Sequence, residues 1–155
     1  MSPPKPHVLV VEDGADLAAL YEAWLEPDYR VRTATGGREA IEALDDSIDV
    51  VLLDRRMPDR SGDDVLEVIR ERGLDARVAM VTAVEPDASI VEMPFDDYLV
   101  KPVSREELHR TVESLLRRAE YGEGVRELFS LASKKAVLEG ESDPAALENE
   151  YEHLD

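Results

Sequence analysis

Four apolar runs each end on side chains that can handle phosphate. Glu12 and Asp13 follow the run 7–11 (HVLVV), and Asp54 follows 49–53 (DVVLL). Thr82 closes 77–82 (RVAMVT), and Lys101-Pro102 follows 98–100 (YLV). If these runs are strands of one sheet, three carboxylates, one hydroxyl and one ammonium share a single rim. Three acids so close repel one another unless a hard cation sits among them. Mg²⁺ suits the place, because it takes oxygen ligands, keeps several waters and shares phosphate oxygens. Glu12, Asp13 and Asp54 are the expected ligands, helped by the main-chain carbonyl of Arg56. Asp54 can then attack phosphorus and form an acyl phosphate. Lys101 would pair with a second phosphoryl oxygen and Thr82 would donate a hydrogen bond to a third, while the metal neutralises charge. Phosphorylation adds about −1.5 to −2 charge, enough to pull Thr82 inward.

Each residue also has a plainer reading. Asp13 could cap the helix that follows it. Asp54 could start the turn that Met57-Pro58 continues. Thr82 could be an ordinary β-branched strand residue, and Lys101 a surface lysine. These readings weaken jointly, because all must hold at the same end of the same sheet.

The elements that would position this set are legible from periodicity. Continuous apolar runs such as HVLVV and DVVLL fit strands buried on both faces. Residues 14–26 place Leu17, Leu20, Tyr21 and Trp24 at helical spacing before Pro27. Residues 29–33 alternate, as a strand nearer an edge does. A short helix after Gly36-Gly37 carries Ala40, Ile41 and Leu44. Another, over 61–72, carries Val65, Leu66, Val68 and Ile69 and stops at Gly73. The helix over 104–119 carries Leu108, Val112, Leu115, Leu116 and Ala119, with Ser104 and Glu107 as a capping box. Between Thr82 and Tyr98, Pro86 and Pro94 leave room for a single turn or an irregular loop in place of a fourth helix. Alternating strands and helices imply an α/β doubly wound, five-stranded parallel sheet, with ligands beyond the carboxyl ends of its strands.

Composition narrows the field further. The chain has 155 residues, 36 acidic and 18 basic, for a net charge of −18. That charge disfavours nonspecific binding to nucleic acid or to an anionic membrane. There are no cysteines, so disulfides and thiolate chemistry are excluded. No apolar run approaches the roughly 20 residues that cross a bilayer, and 1–6 reads as a loose tail, so a cytoplasmic protein is expected. Only four of the basic residues are lysines (Lys5, Lys101, Lys134 and Lys135). Acidity with few lysines suits a salt-rich cytoplasm, where at molar salt the screening length falls to about 3 Å and self-repulsion largely vanishes. Dialysis into dilute buffer is therefore expected to unfold the chain, as circular dichroism would report; a melting temperature indifferent to salt would contradict this halophilic reading.

The motifs Val10-Val11-Glu12-Asp13, Leu52-Leu53-Asp54-Arg55-Arg56-Met57-Pro58 with Gly62, Val81-Thr82-Ala83 and Asp97-Tyr98-Leu99-Val100-Lys101-Pro102 resemble those of the receiver domain of two-component response regulators. The resemblance covers roughly 7–120. It implies the flavodoxin-like strand order 2-1-3-4-5, and Asp54 as acceptor of phosphate from a sensor histidine kinase's phosphohistidine. It makes Glu12 and Asp13 the metal acids, Lys101 the phosphate-pairing lysine, and Thr82 with Tyr98 the coupled switch pair. It also implies a cis Lys101–Pro102 bond, which only proline's amide tolerates cheaply.

Three departures from that pattern matter. The nearly helix-free stretch after Thr82 puts the family's usual homodimer in doubt. Arg56 is bulky and cationic, and is expected to hinder or orient the hydrolytic water and so prolong the phosphorylated state. Residues 121–155 hold three basic residues against nine acidic ones and no helix-turn-helix pattern. A hinge at 121–124, a helix over 125–139 with Val125, Leu128, Phe129, Ala132 and Ala136 on one face, and an acidic end are expected there. The segment LFSLASKKAVLE within it resembles the helical HalX extension of receivers from salt-loving archaea. Its apolar stripe must meet the main domain or a second chain, and Lys134-Lys135 read as a solvated face. Output by contact with a downstream protein, without direct nucleic-acid binding, is the expectation.

Two other classes share the acid set. A magnesium phosphohydrolase with Asp54 as nucleophile would need multiple turnover, and dehalogenase-type hydrolases place a second acid where Arg56 stands. A phosphorylation-independent interaction module would keep the shell without the chemistry. The chain thus reads as a switch that phosphorylates and dephosphorylates itself, not as an enzyme acting on other substrates.

Overall fold

The computed structural model describes residues 5–118 together with Leu131, Ala132, Lys134, Lys135, Val137 and Leu138. Residues 1–4, the expected hinge at 121–124, most of the helix expected over 125–139 and the acidic end at 145–155 lie outside the described residues.

Five strands, β1 (His7–Val11), β2 (Arg30–Ala34), β3 (Val50–Leu53), β4 (Arg77–Thr82) and β5 (Asp97–Val100), form one parallel sheet in the order β2-β1-β3-β4-β5. Helices α1 (Ala15–Leu25), α2 (Gly37–Ala43), α3 (Gly62–Glu71) and α4 (Arg105–Arg118) cover its two faces. The central strands β1 and β3 are apolar and buried throughout because neither face meets water, whereas the edge strand β2 alternates, with Arg30 and Arg32 exposed. Val8, Val10, Val50, Leu52, Ala79, Val81 and Leu99 pack with Tyr21 and Leu25 of α1 and Leu108, Val112 and Leu115 of α4. Their alternates Leu9, Val11, Val51, Leu53, Val78, Met80 and Tyr98 pack with Ala40 of α2 and Val65, Leu66 and Ile69 of α3. The two-residue period thus sorts one run into two cores.

Between β4 and β5 there is only a 3₁₀ turn, Ala88–Glu92, where the prolines left room for little more. Gly73, at φ 69°, ends α3 as expected. The capping box of α4 is present: Ser104 Oγ accepts from the Glu107 N–H at 3.1 Å, and Glu107 Oε1 from the Ser104 N–H at 3.4 Å. One expectation is corrected on α1. Leu20 is 43% exposed, and the buried stripe is Ala18, Tyr21 and Leu25. Ala18, Tyr21 and Leu25 recur at three- and four-residue spacing on the buried side of the helix, and Leu20 falls off that side.

Candidate functional site at the carboxyl edge of the sheet

Register sets the rim. Val11 lies beside Ala34 and Leu53, Leu53 beside Met80, and Thr82 beside Val100. The ladder then runs on past the strands. Glu12 N–H donates to the Ala34 carbonyl at 3.0 Å, Asp54 N–H to Val11 at 3.0 Å, and Lys101 N–H to Thr82 at 2.8 Å. Glu12, Asp54 and Lys101 are therefore anchored by the sheet itself. The Lys101–Pro102 bond is cis.

The side chains converge. Lys101 Nζ donates to Asp54 Oδ2 at 3.0 Å and also to Glu12 Oε1. Asp54 Oδ1 accepts from the Arg56 N–H at 3.4 Å, so both oxygens of this carboxylate are oriented. Carboxylate oxygens of Glu12, Asp13 and Asp54 lie within 4.8 Å of one another. Glu12 and Asp54 are buried, whereas Asp13 is exposed at the mouth. The α1 N-cap is Gly14, with no side-chain capping bond, so Asp13 is not spent as a cap. Burial lifts the Glu12 carboxyl above its usual range, against the pull of its bonds from Lys101 and the Gly14 N–H. At Lys101 burial opposes the ammonium, but the bonds to Glu12 and Asp54 outweigh it and raise its pKa. An open groove of about 460 Å³ lined by Asp13, Arg55, Arg56, Met57, Pro58 and Ser61 leads to the acids.

This donor set fits a hard divalent ion. It offers three carboxylates facing one lysine ammonium, and its outermost acid is open to solvent, so ligands can be shared between protein and water.

Thr82 is fully buried, and its Oγ1 accepts from the Val84 N–H at 3.2 Å. Tyr98 is buried too, and its hydroxyl donates to the Val84 carbonyl at 2.6 Å. The Val84 residue therefore joins the two expected switch residues through its backbone. Burial raises the Tyr98 pKa and so favours the neutral phenol, against the hydrogen bond from Arg55, which pulls the other way.

Several supporting groups escaped the sequence reading. Arg55 makes a two-pronged pair with Asp63 at 3.0 Å on each prong and reaches the Tyr98 hydroxyl at 3.4 Å. Asp59 accepts from the N–H groups of Gly37 at 3.0 Å and Arg38 at 2.9 Å, so it serves the start of α2 from a distant loop. Bonds from the Arg38, Arg60 and Gly37 backbone hold its carboxyl down to about 2. The signal for neither partner is local in sequence. The reading of Lys134-Lys135 as a solvated face is half corrected: Lys135 is exposed, but Lys134 is 8% exposed. Its long stem lies along apolar surface while its ammonium finds a carbonyl.

A 2-1-3-4-5 parallel sheet with such an acid set at its carboxyl edge has the receiver fold. The family model "Response regulator receiver domain" matches residues 8–113, and that of the HalX domain matches 117–155. The chain belongs to the response regulator receiver family of two-component systems. It is 62% identical over 133 residues to a candidate transcriptional regulator of Haloferax volcanii, covering 85% of this chain and 23% of that protein. It is 37% identical over 120 residues to the transcriptional regulatory protein CpxR of Escherichia coli K12, covering 75% of this chain and 51% of CpxR. The chain thus spans about half of one of these curated relatives and about a quarter of the other. Among solved structures, the response regulator TrrA of Thermotoga maritima in complex with Mg²⁺-BeF superposes with a TM-score of 0.63 at 33% identity, covering 72% of this chain and 99% of that one. Among the described residues no helix is long and apolar enough to cross a membrane.

Proposed function

We propose that this receiver takes a phosphoryl group from the phosphohistidine of a sensor histidine kinase onto Asp54, in a site that binds Mg²⁺, and thereby switches a protein-binding surface. The observation that carries the reading is one ammonium, Lys101, bonded to both Glu12 and Asp54, with Asp13 at the mouth.

Glu12, Asp13 and Asp54, with the Arg56 carbonyl, would hold the ion. When bound, Mg²⁺ neutralises charge on the transferring oxygens. The protein's own part is positioning. The Arg56 N–H and Lys101 fix the rotation of the Asp54 carboxylate. A carboxylate lone pair attacks phosphorus as the P–N bond breaks, and the imidazole nitrogen keeps that electron pair and takes a proton. Lys101 then pairs with a phosphoryl oxygen, and the Thr82 hydroxyl turns from accepting the Val84 N–H to donating toward the new charge. Water later attacks phosphorus and regenerates the carboxylate.

Incubation with acetyl phosphate and Mg²⁺ at high salt, read by intact mass, tests the reading. One phosphoryl group on the wild type, none on Asp54→Ala and none with a chelator are expected. Uptake by Asp54→Ala would overturn it. Turnover of small phosphate esters would favour a hydrolase instead, although the cation at Arg56, two residues after the nucleophile, argues against that.

Arg56 is exposed and lines the groove beside Asp13, where the hydrolytic water must enter. The half-life of the phosphorylated chain is expected to shorten several-fold in Arg56→Ala. A half-life equal to the wild type would remove Arg56 from the account.

A further inference from the structure

The face of β4 and β5 beside α3 is covered by little of the receiver's own chain. Among the described residues up to 118, the link from β4 to β5 on this side is the 3₁₀ turn, and Ile90, Phe95 and Tyr98 belong to the core there. The C-terminal segment supplies additional cover. Leu131, Ala132, Lys134, Lys135, Val137 and Leu138 are helical, and Val137 packs against that same core. Lys134 Nζ donates to the Val91 carbonyl at 3.0 Å and stands 5.1 Å from the centre of the Phe95 ring. Burial pushes the Lys134 pKa down, with Asp96 pulling the other way. A lysine gives up its water in this manner only where other contacts replace it.

The contacts run on to the site. The Phe95 and Tyr98 rings lie 5.5 Å apart, the Tyr98 hydroxyl holds the Val84 carbonyl, and the Val84 N–H holds Thr82. We infer that the C-terminal segment is a reversible strap on this face, locked by Lys134 over Phe95 and Val91 and released when Asp54 is phosphorylated. The inference rests on the function proposed above. Once Thr82 turns toward the phosphoryl group, the Val84 N–H loses its acceptor. The Val84 peptide then shifts, and with it the Tyr98 hydroxyl and the Phe95 ring on which Lys134 sits. Release would bare Val137, Phe95 and Ile90, an apolar surface for a downstream protein. Coupling of two such equilibria is reciprocal, so loosening the strap must favour phosphorylation by the same factor, typically about 5- to 150-fold.

The chain has no cysteine, so a spin-labelled pair, Glu71→Cys with Lys135→Cys, reports one distance without background. In the full chain at high salt, a single narrow distance is expected. Acetyl phosphate with Mg²⁺ should convert it into a broad, longer distribution in proportion to the phosphorylated fraction read by intact mass. Adding Lys134→Ala should give the broad distribution without phosphate, and should raise the phosphorylated fraction at limiting acetyl phosphate. A chain that gains the phosphoryl mass while keeping the narrow distance overturns the coupling alone. A chain that gains no mass overturns the functional reading, and the coupling with it. A Lys134→Ala chain with the unaltered narrow distance overturns the lock.

Discussion

Lys101→Ala is expected to take up phosphate from acetyl phosphate about 10²–10³-fold more slowly than the wild type, the loss typical of removing one positioned charge from a transition state. The cause lies in its two bonds. Lys101 fixes Asp54 Oδ2 before attack and is the cation at hand for the phosphoryl oxygen afterwards. Its removal also leaves Glu12 and Asp54, 3% and 6% exposed, facing each other. In metal-free buffer this should cost up to about 3 kcal/mol, the low end for breaking a buried pair, since the ammonium is partly solvated. Added Mg²⁺ replaces the lost charge, so it should raise the melting temperature of the variant more than that of the wild type. Rates from intact mass and melting curves with and without Mg²⁺ give both numbers. A wild-type rate in the variant would show that Lys101 only holds the fold.

Gly62→Ala should damage both fold and chemistry. A Cβ at Gly62 would meet the Asp54 carbonyl oxygen at 2.0 Å, its carbon at 2.8 Å and Arg55 Cα at 2.9 Å. All three are backbone atoms, and none can swing aside. The Gly62 N–H also donates to the Arg55 carbonyl at 2.8 Å, so α3 begins pressed against the very peptide that carries Asp54. Overpacking of this kind costs about 3 kcal/mol, or roughly 10 °C in melting temperature for a chain of this size. Displacement of Asp54 by about 1 Å should slow phosphorylation by about 10²-fold. Gly73→Ala is the control. Nothing lies within 4 Å of its Cβ, but its φ of 69° suits glycine. It should lose about 1 kcal/mol of stability at an unchanged phosphorylation rate. Equal rates for Gly62→Ala and the wild type would separate the tight turn from the site.

What could be read from the amino acids alone follows from where the information is local. Runs such as VVLL mark strands buried on both faces, and the residue after each run is placed by the ladder, so Glu12, Asp54 and Lys101 could be assigned to one rim before any coordinates. The prolines at 86 and 94 likewise declare the short turn before β5. Other features depend on partners distant in sequence. Asp59 serves α2 from 21 and 22 positions away, and Arg55, paired with Asp63, reaches Tyr98 43 residues further along the chain. The buried side of α1 includes Ala18, whose small side chain gives little signal by itself. Lys134 was the hardest to foresee. A charged residue off the apolar stripe reads as solvated, and only Val91 and Phe95, 43 and 39 residues upstream of it, show why it is buried.

The most direct test of the central claim is chemical mapping of the phosphorylated residue. Borohydride reduction of the phosphorylated chain, followed by peptide mass mapping, converts an aspartyl phosphate into homoserine. Homoserine at position 54, its appearance dependent on Mg²⁺, is the expected result. A phosphate that survives reduction on Thr82 or a serine, homoserine at position 13, or 5-hydroxynorvaline at position 12 would contradict the account.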